Sequence, residues 1–225
     1  MPLIIFIIVV VIISIIVHEV AHGWVAYKLG DPTAKNAGRL TLNPISHVDP
    51  VMTLIFPIIT YISLGFAFGG AKPVPYNPNN LVDKKYGDLK VALAGPASNF
   101  ILALISGLIA RFVPLTLSMK SELLVDFVRG NIGTLLNQMN GDILIIIFVM
   151  SIIICIYNLL LMVFNLIPIP PLDGSKVLLP FLPYNWQIKF HQLESFGIFI
   201  LIVLLYLGFF SIIWFIIIYL FALIV

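Results

Sequence analysis

Apolar residues run along this chain in long unbroken blocks rather than at every second or third position. Four blocks, at about 3–27, 89–112, 143–167 and 196–225, reach the roughly 20 residues that a helix needs to cross a bilayer. Each predicts a full transmembrane helix. The last is longer than a crossing requires, which predicts a tilt or a break near Gly208 and Ser211. A fifth block, 51–68, carries Pro57 and Gly65 and runs directly into Gly69 and Gly70. Periodicity alone leaves open whether it crosses.

The polar stretches between the blocks differ in character. Residues 28–50 and 69–88 are rich in Gly, Pro and Asn, with short alternating pieces at 38–42 and 72–76. These predict small β-strand or hairpin elements near one membrane face. Residues 111–142 predict an amphipathic connection with at least one short surface helix.

Composition sharpens the class. The chain is 61% apolar and 10% charged, whereas a soluble domain is roughly half apolar and a quarter charged. The predicted fold is therefore an all-α polytopic membrane protein. It has about four full spans, a re-entrant or interfacial segment at 51–68, and the small strand elements, all within one integral domain over 1–225. The first block has no Lys or Arg before it and is too long for a signal peptide, so it is expected to be retained. Net charge is +2, with no basic run that suits a phosphate backbone, so no nucleic-acid partner is expected. The single cysteine, Cys155, permits neither an intramolecular disulfide nor a thiolate metal site. Seven basic residues lie between Lys28 and Lys90 and three in the 111–142 connection. That asymmetry places the first region in the cytoplasm and the N-terminus outside.

The sharpest chemical signal is His18-Glu19-Val20-Ala21-His22. On a helix, positions i and i+4 share a face, so both imidazoles can hold one zinc ion. Glu19 beside them is placed to take a proton from water activated at the metal. Polar and ionisable groups inside a span are costly and rarely lack a partner or a function. A catalytic zinc normally takes three protein ligands. Among the acids Asp173 stands out, after the prolines that end the third long block and before Gly174. An ordinary helix cap there is the competing reading. His47 with Asp49 reads as a turn-stabilising pair ahead of a second metal contact, and His191 as a solvated or interfacial residue.

The combination of His18-Glu19-x-x-His22 with Asn165-x-x-Pro168-x-x-x-x-Asp173-Gly174 resembles the site-2 protease family of intramembrane metalloproteases. Ala94-Gly95-Pro96-Ala97-Ser98-Asn99 is a third element similar to that family. Leu42-Asn43-Pro44-Ile45-Ser46-His47-Val48-Asp49-Pro50 and Gly70-Ala71-Lys72-Pro73-Val74-Pro75-Tyr76-Asn77-Pro78 resemble a compact bacterial branch of it. The resemblance implies zinc on His18, His22 and Asp173, with Glu19 as general base. It also implies that Asn99 and Asn165 help hold the substrate, although interhelical hydrogen bonding is the alternative for both. The implied substrates are single-pass membrane proteins cut within or next to their membrane segments. The implied location is the cell (inner) membrane, with the active site toward the cytoplasm. Many members carry a PDZ module; none fits in these 225 residues, so gating and any regulatory partner stay open.

If Asp173 meets His22, the chain must cross an even number of times between residues 28 and 88. The 51–68 block is therefore expected to dip in and return, or to lie along the interface, and the strand pieces to offer an edge to an extended substrate. Two other functions compete: a metal-ion transporter using the histidines as a pathway, and a catalytically silent scaffold for membrane segments.

Overall fold

The computed structural model describes residues 2–64 and 69–225. Helix α1 (Pro2–Lys28) runs through the first apolar block without interruption. A short helix α2 (Thr33–Asn36) and a 3₁₀ turn at Pro44–His47 follow. The fifth block opens as a π turn at Pro50–Ile55 and continues as α3 (Phe56–Leu64). At 1.5 Å per residue, helix over 50–64 is about 22 Å long, short of the roughly 30 Å hydrocarbon core. The end of the predicted segment, 65–68, lies outside the described residues.

Helix α4 (Gly87–Phe112) is the second candidate span and contains Pro96. The amphipathic connection holds two helices, α5 (Leu117–Arg129) and α6 (Ile132–Met139). Thr116 caps the first through Met119 N, and Gly130 ends it at φ +71°, a conformation that favours glycine. Helix α7 (Ile143–Asn165) is capped by Asp142, which accepts from the amides of Leu144 and Ile145. A proline-rich turn then leads into α8 (Asp173–Leu178), followed by α9 (Tyr184–Leu193), α10 (Gly197–Tyr206) and α11 (Phe209–Ile224).

Three helices, α1, α4 and α7, are each long and apolar enough to cross a membrane; α10 and α11 together make a fourth only as a broken span, bent by 79°. Gly208 sits between them at φ +89°, which locates the break expected near Gly208 and Ser211. Helix α7 is the centre of the bundle. Phe148, Val149, Ile152, Ile153, Cys155 and Leu159 are fully covered, while many apolar side chains of α1, such as Ile4, Ile5, Ile8 and Ile13, face outward. Apolar side chains turned outward on a spanning helix are what lipid as solvent requires. Helix α4 approaches α7 through small residues; Gly107 lies against Cys155 Sγ and Ile224, with no room for a side chain.

The expected β elements are absent: no strand occurs among the described residues. The cause is visible in the hydrogen bonding of residues 70–77, which cross the end of α1 as an extended strap. Lys72 N donates to His47 O and Val74 N to Glu19 Oε2, while Arg39 donates through Nη2 to Lys72 O at 2.7 Å. Pro73 and Pro75 have no N–H to give. The strap's polar groups are thus taken one by one by unrelated partners, which leaves no ladder for a neighbouring strand.

Candidate metal centre

Helix periodicity builds the centre. Ser14, His18 and His22 recur at intervals of four on α1, and Val91, Gly95 and Asn99 do the same on α4. The two stripes face each other with the helices antiparallel. His22 Nδ1 donates to Val91 O at 2.7 Å, and His18 Nδ1 pairs with Asn99 Oδ1 at 2.6 Å. Between these contacts lies Gly95. A Cβ added there would fall 2.5 Å from His18 Nε2 and closer still to His22 Nε2. Only glycine lets the backbone of α4 come this near the two rings.

Asp173 enters from the other side, at the first position of α8. The turn after α7 is folded so tightly that a Cβ on Gly174 would lie 2.5 Å from Ile167 O and closer to Leu166 O. Glycine at 174 therefore lets the carboxylate swing under α1. Its Oδ2 lies 3.1 Å from His18 Nε2 and 3.2 Å from His22 Nε2, and the two Nε2 atoms are 3.0 Å apart. Both histidines are buried and Asp173 is half-buried.

This triangle fits a metal ion. A tetrahedral ion at about 2.0–2.1 Å from its ligands needs ligand atoms about 3.3–3.4 Å apart, so the edges need open by only a few tenths of an ångström. Protons give the stronger argument. Both Nδ1 atoms face oxygen acceptors and so carry the ring proton. Two Nε2 atoms and a carboxylate oxygen then converge, and such a set is satisfied either by a shared proton or by a metal cation, for which these three side chains offer one ligand atom each. Among the described residues no other group of three His, Cys, Asp or Glu side chains could hold a metal ion.

The remaining sequence candidates fall in separate places. Glu19 is half-buried, and its Oε2 accepts from Val74 N at 2.8 Å. Asn99 is fully buried, at the back of the centre. Asn165, at the end of α7, is half-buried and donates through Nδ2 to Leu161 O. His47 is buried with Nε2 donating to Thr41 O, and Asp49 Oδ1 accepts from Val51 N; neither belongs to the metal group. The side chain of His191 lies outside the described residues. Sequence reasoning missed Ser14, Val91, Val74 and Asn158 as parts of the surroundings. The polar pair Ser14 and Asn158, set in otherwise apolar spans, was the signal available for two of them.

The comparisons with known proteins agree with this geometry. The profile of peptidase family M50 matches residues 6–208, and the chain belongs to that family, the site-2 protease family of membrane-embedded zinc metalloproteases. It is 37% identical over 199 residues to the candidate zinc metalloprotease YwhC of Bacillus subtilis, covering 88% of this chain and 79% of that one. It is 27% identical to the candidate zinc metalloprotease Rip2 of Mycolicibacterium smegmatis, covering 86% of this chain and 64% of that one. Rip2 of Mycobacterium tuberculosis is 25% identical, over 86% of this chain and 63% of the relative. No solved structure matches the chain. Membership defines a membrane-embedded zinc metalloprotease, and the cluster of His18, His22 and Asp173 suits its metal.

Proposed function

We propose that the chain is a single integral-membrane domain that hydrolyses peptide bonds within or next to the membrane segments of single-pass proteins, with one zinc ion on His18, His22 and Asp173. The observation that carries the metal set is the convergence of two imidazole Nε2 atoms and a carboxylate oxygen within 3.2 Å of one another. When bound, zinc polarises a carbonyl and brings the pKa of water toward neutrality.

Glu19 is the general base in this reading. The amide of Val74 fixes Oε2, while Oε1 carries no hydrogen bond among the described residues. The free oxygen takes the proton of the attacking water, and the resulting acid gives it to the leaving amine as the peptide bond breaks. In this reading Asn165, half-buried at the end of α7 and donating through Nδ2 to Leu161 O, contacts an incoming backbone. Active-site water and an extended substrate both need irregular backbone at membrane depth, which is tolerated only where it lines a protein-enclosed or wet cavity. The strap and the proline-rich turn before Asp173 are such backbone. The reading further places the protein in the cell membrane, with its N-terminus outside and the centre toward the cytoplasm, following the basic residues.

The test of the metal set needs no knowledge of the substrate. Detergent-purified protein should hold about one zinc per chain, and Asp173→Ala much less. Zinc retained in full by Asp173→Ala would remove that ligand, and a folded wild type free of zinc would return the transporter or the scaffold to the front. Glu19→Gln should keep the zinc and abolish cleavage of a membrane substrate; unchanged cleavage would end the role of Glu19.

A further inference from the structure

Behind the metal centre, away from the strap, a chain of buried polar groups crosses the three spanning helices. Asn158 on α7 and Asn99 on α4 are 0% exposed, and Ser14 on α1 is 3% exposed. Asn158 Nδ2 donates to Ile154 O at 2.9 Å and to Ser14 Oγ at 3.0 Å. Asn158 Oδ1 accepts from Asn99 Nδ2 at 2.9 Å, and the same Nδ2 reaches Ser14 O at 3.4 Å. Asn99 Oδ1 in turn faces His18 Nδ1 at 2.6 Å.

The polarity of this chain is determined at its far end. A backbone carbonyl can only accept, so Ile154 O turns the NH₂ of Asn158 toward itself. That leaves the carbonyl of Asn158 for Asn99, which must answer with its own NH₂. Asn99 then has only Oδ1 for His18, and an acceptor there puts the ring proton on Nδ1 and the lone pair on Nε2. Flipping either amide would set donor against donor or acceptor against acceptor along the chain, among groups buried from bulk solvent.

We propose that Asn158 is a positioning residue, acting through Asn99 to fix the tautomer and ring orientation of His18 for metal binding. In this account Asn99, buried and with every polar atom engaged, serves His18 rather than the substrate. The inference rests on His18 being a zinc ligand. Groups that orient a ligand histidine typically contribute 10–100-fold to metal affinity. A Leu at 158 would leave only the longer contact to Ser14 O, at 3.4 Å, to orient the amide of Asn99, while filling a similar volume.

The experiment is a double-mutant cycle on zinc affinity, measured by chelator competition in detergent with Asn99→Leu, Asn158→Leu and the pair, and with Ile153→Ala as a buried control on α7 outside the chain. The visible spectrum of the cobalt(II)-loaded protein reports ligand geometry in parallel. Asn158→Leu should weaken zinc about 10–100-fold and alter the cobalt spectrum, the double variant should be no weaker than Asn99→Leu alone, and Ile153→Ala should do neither. Should Asn158→Leu not fold, Asn158→Ser and Ser14→Ala carry the test, each with a smaller loss in the same direction. Wild-type affinity in a folded position-158 variant, or losses that add in the double, would overturn the proposal. A wild type that binds no zinc would instead overturn the ligand assignment beneath it, so the two failures are distinguishable.

Discussion

At the scale of single residues, the centre depends as much on side chains that are missing as on those present. Gly95 is the clearest case, because a methyl group there would occupy the space where the Nε2 atoms of His18 and His22 converge. In a helix interior alanine is intrinsically favoured over glycine by about 1 kcal/mol, so packing and propensity pull in opposite directions. Gly95→Ala is therefore expected to keep its helical content, as read by circular dichroism, and to lose most of its zinc. Full metal content in that variant would mean that α4 stands further from α1 than described. The three proposed ligands were legible in the sequence: two histidines at i and i+4 within an apolar block, and an Asp-Gly pair after a proline-rich helix end. Gly95 was visible as part of a motif, but its job was not. Closeness between α4 and α1 is a property of two helices, and no residue pattern on one of them states it.

At the scale of elements, hydropathy located the three helices long and apolar enough to cross, and the broken pair α10–α11, because a bilayer imposes length and apolarity on a helix directly. The strands at 38–42 and 72–76 were misread because alternation over five residues says nothing about which partners the backbone will find. Arg39, His47 and Glu19 found it first. Asp31 anchors the next stretch of the strap. It is fully buried and accepts from Thr33, from the side chain of Asn80 and from the backbone of Asn77. Burial raises its pKa, but these donors outweigh it and hold the carboxyl below its usual value. A depressed folded pKa stabilises above the unfolded value of about 3.9 and stops doing so as pH falls through the folded one. Asp31→Asn should thus cost about 1–2 kcal/mol near neutrality. The difference in thermal midpoint from wild type should shrink as pH drops below about 4. A difference unchanged down to pH 3 would show that ionisation of Asp31 is not what holds the strap.

At the scale of the whole molecule, the excursion between α1 and α4 returns to where it began. Lys72 N meets His47 O and Thr53 Oγ1 meets Gly70 O, so the two flanks of the fifth apolar block are hydrogen-bonded to each other. Further along, Val82 N donates to Leu29 O and Asn77 N to Asp31, at the end of α1. A segment whose entry and exit are tied together has not ended on the far side of a membrane, and helix over 50–64 is too short to cross and come back as a pair of spans. We therefore propose a dip or an interfacial helix for this block, on the parity argument from the proposed ligands and the hydrogen bonds of the loop. Cysteine labelling tests it against a quiet background, since the native Cys155 is buried. Leu42→Cys and Asn80→Cys, both at exposed positions, should react with a membrane-impermeant reagent from the same side, and Asn140→Cys, beyond α4, from the other. Opposite faces for 42 and 80 would make the fifth block a true crossing. The approach of Asp173 to His22 would then call for a second reversal between α4 and α8, where α4 and α7 are each long and apolar enough to cross a membrane and are joined through α5 and α6.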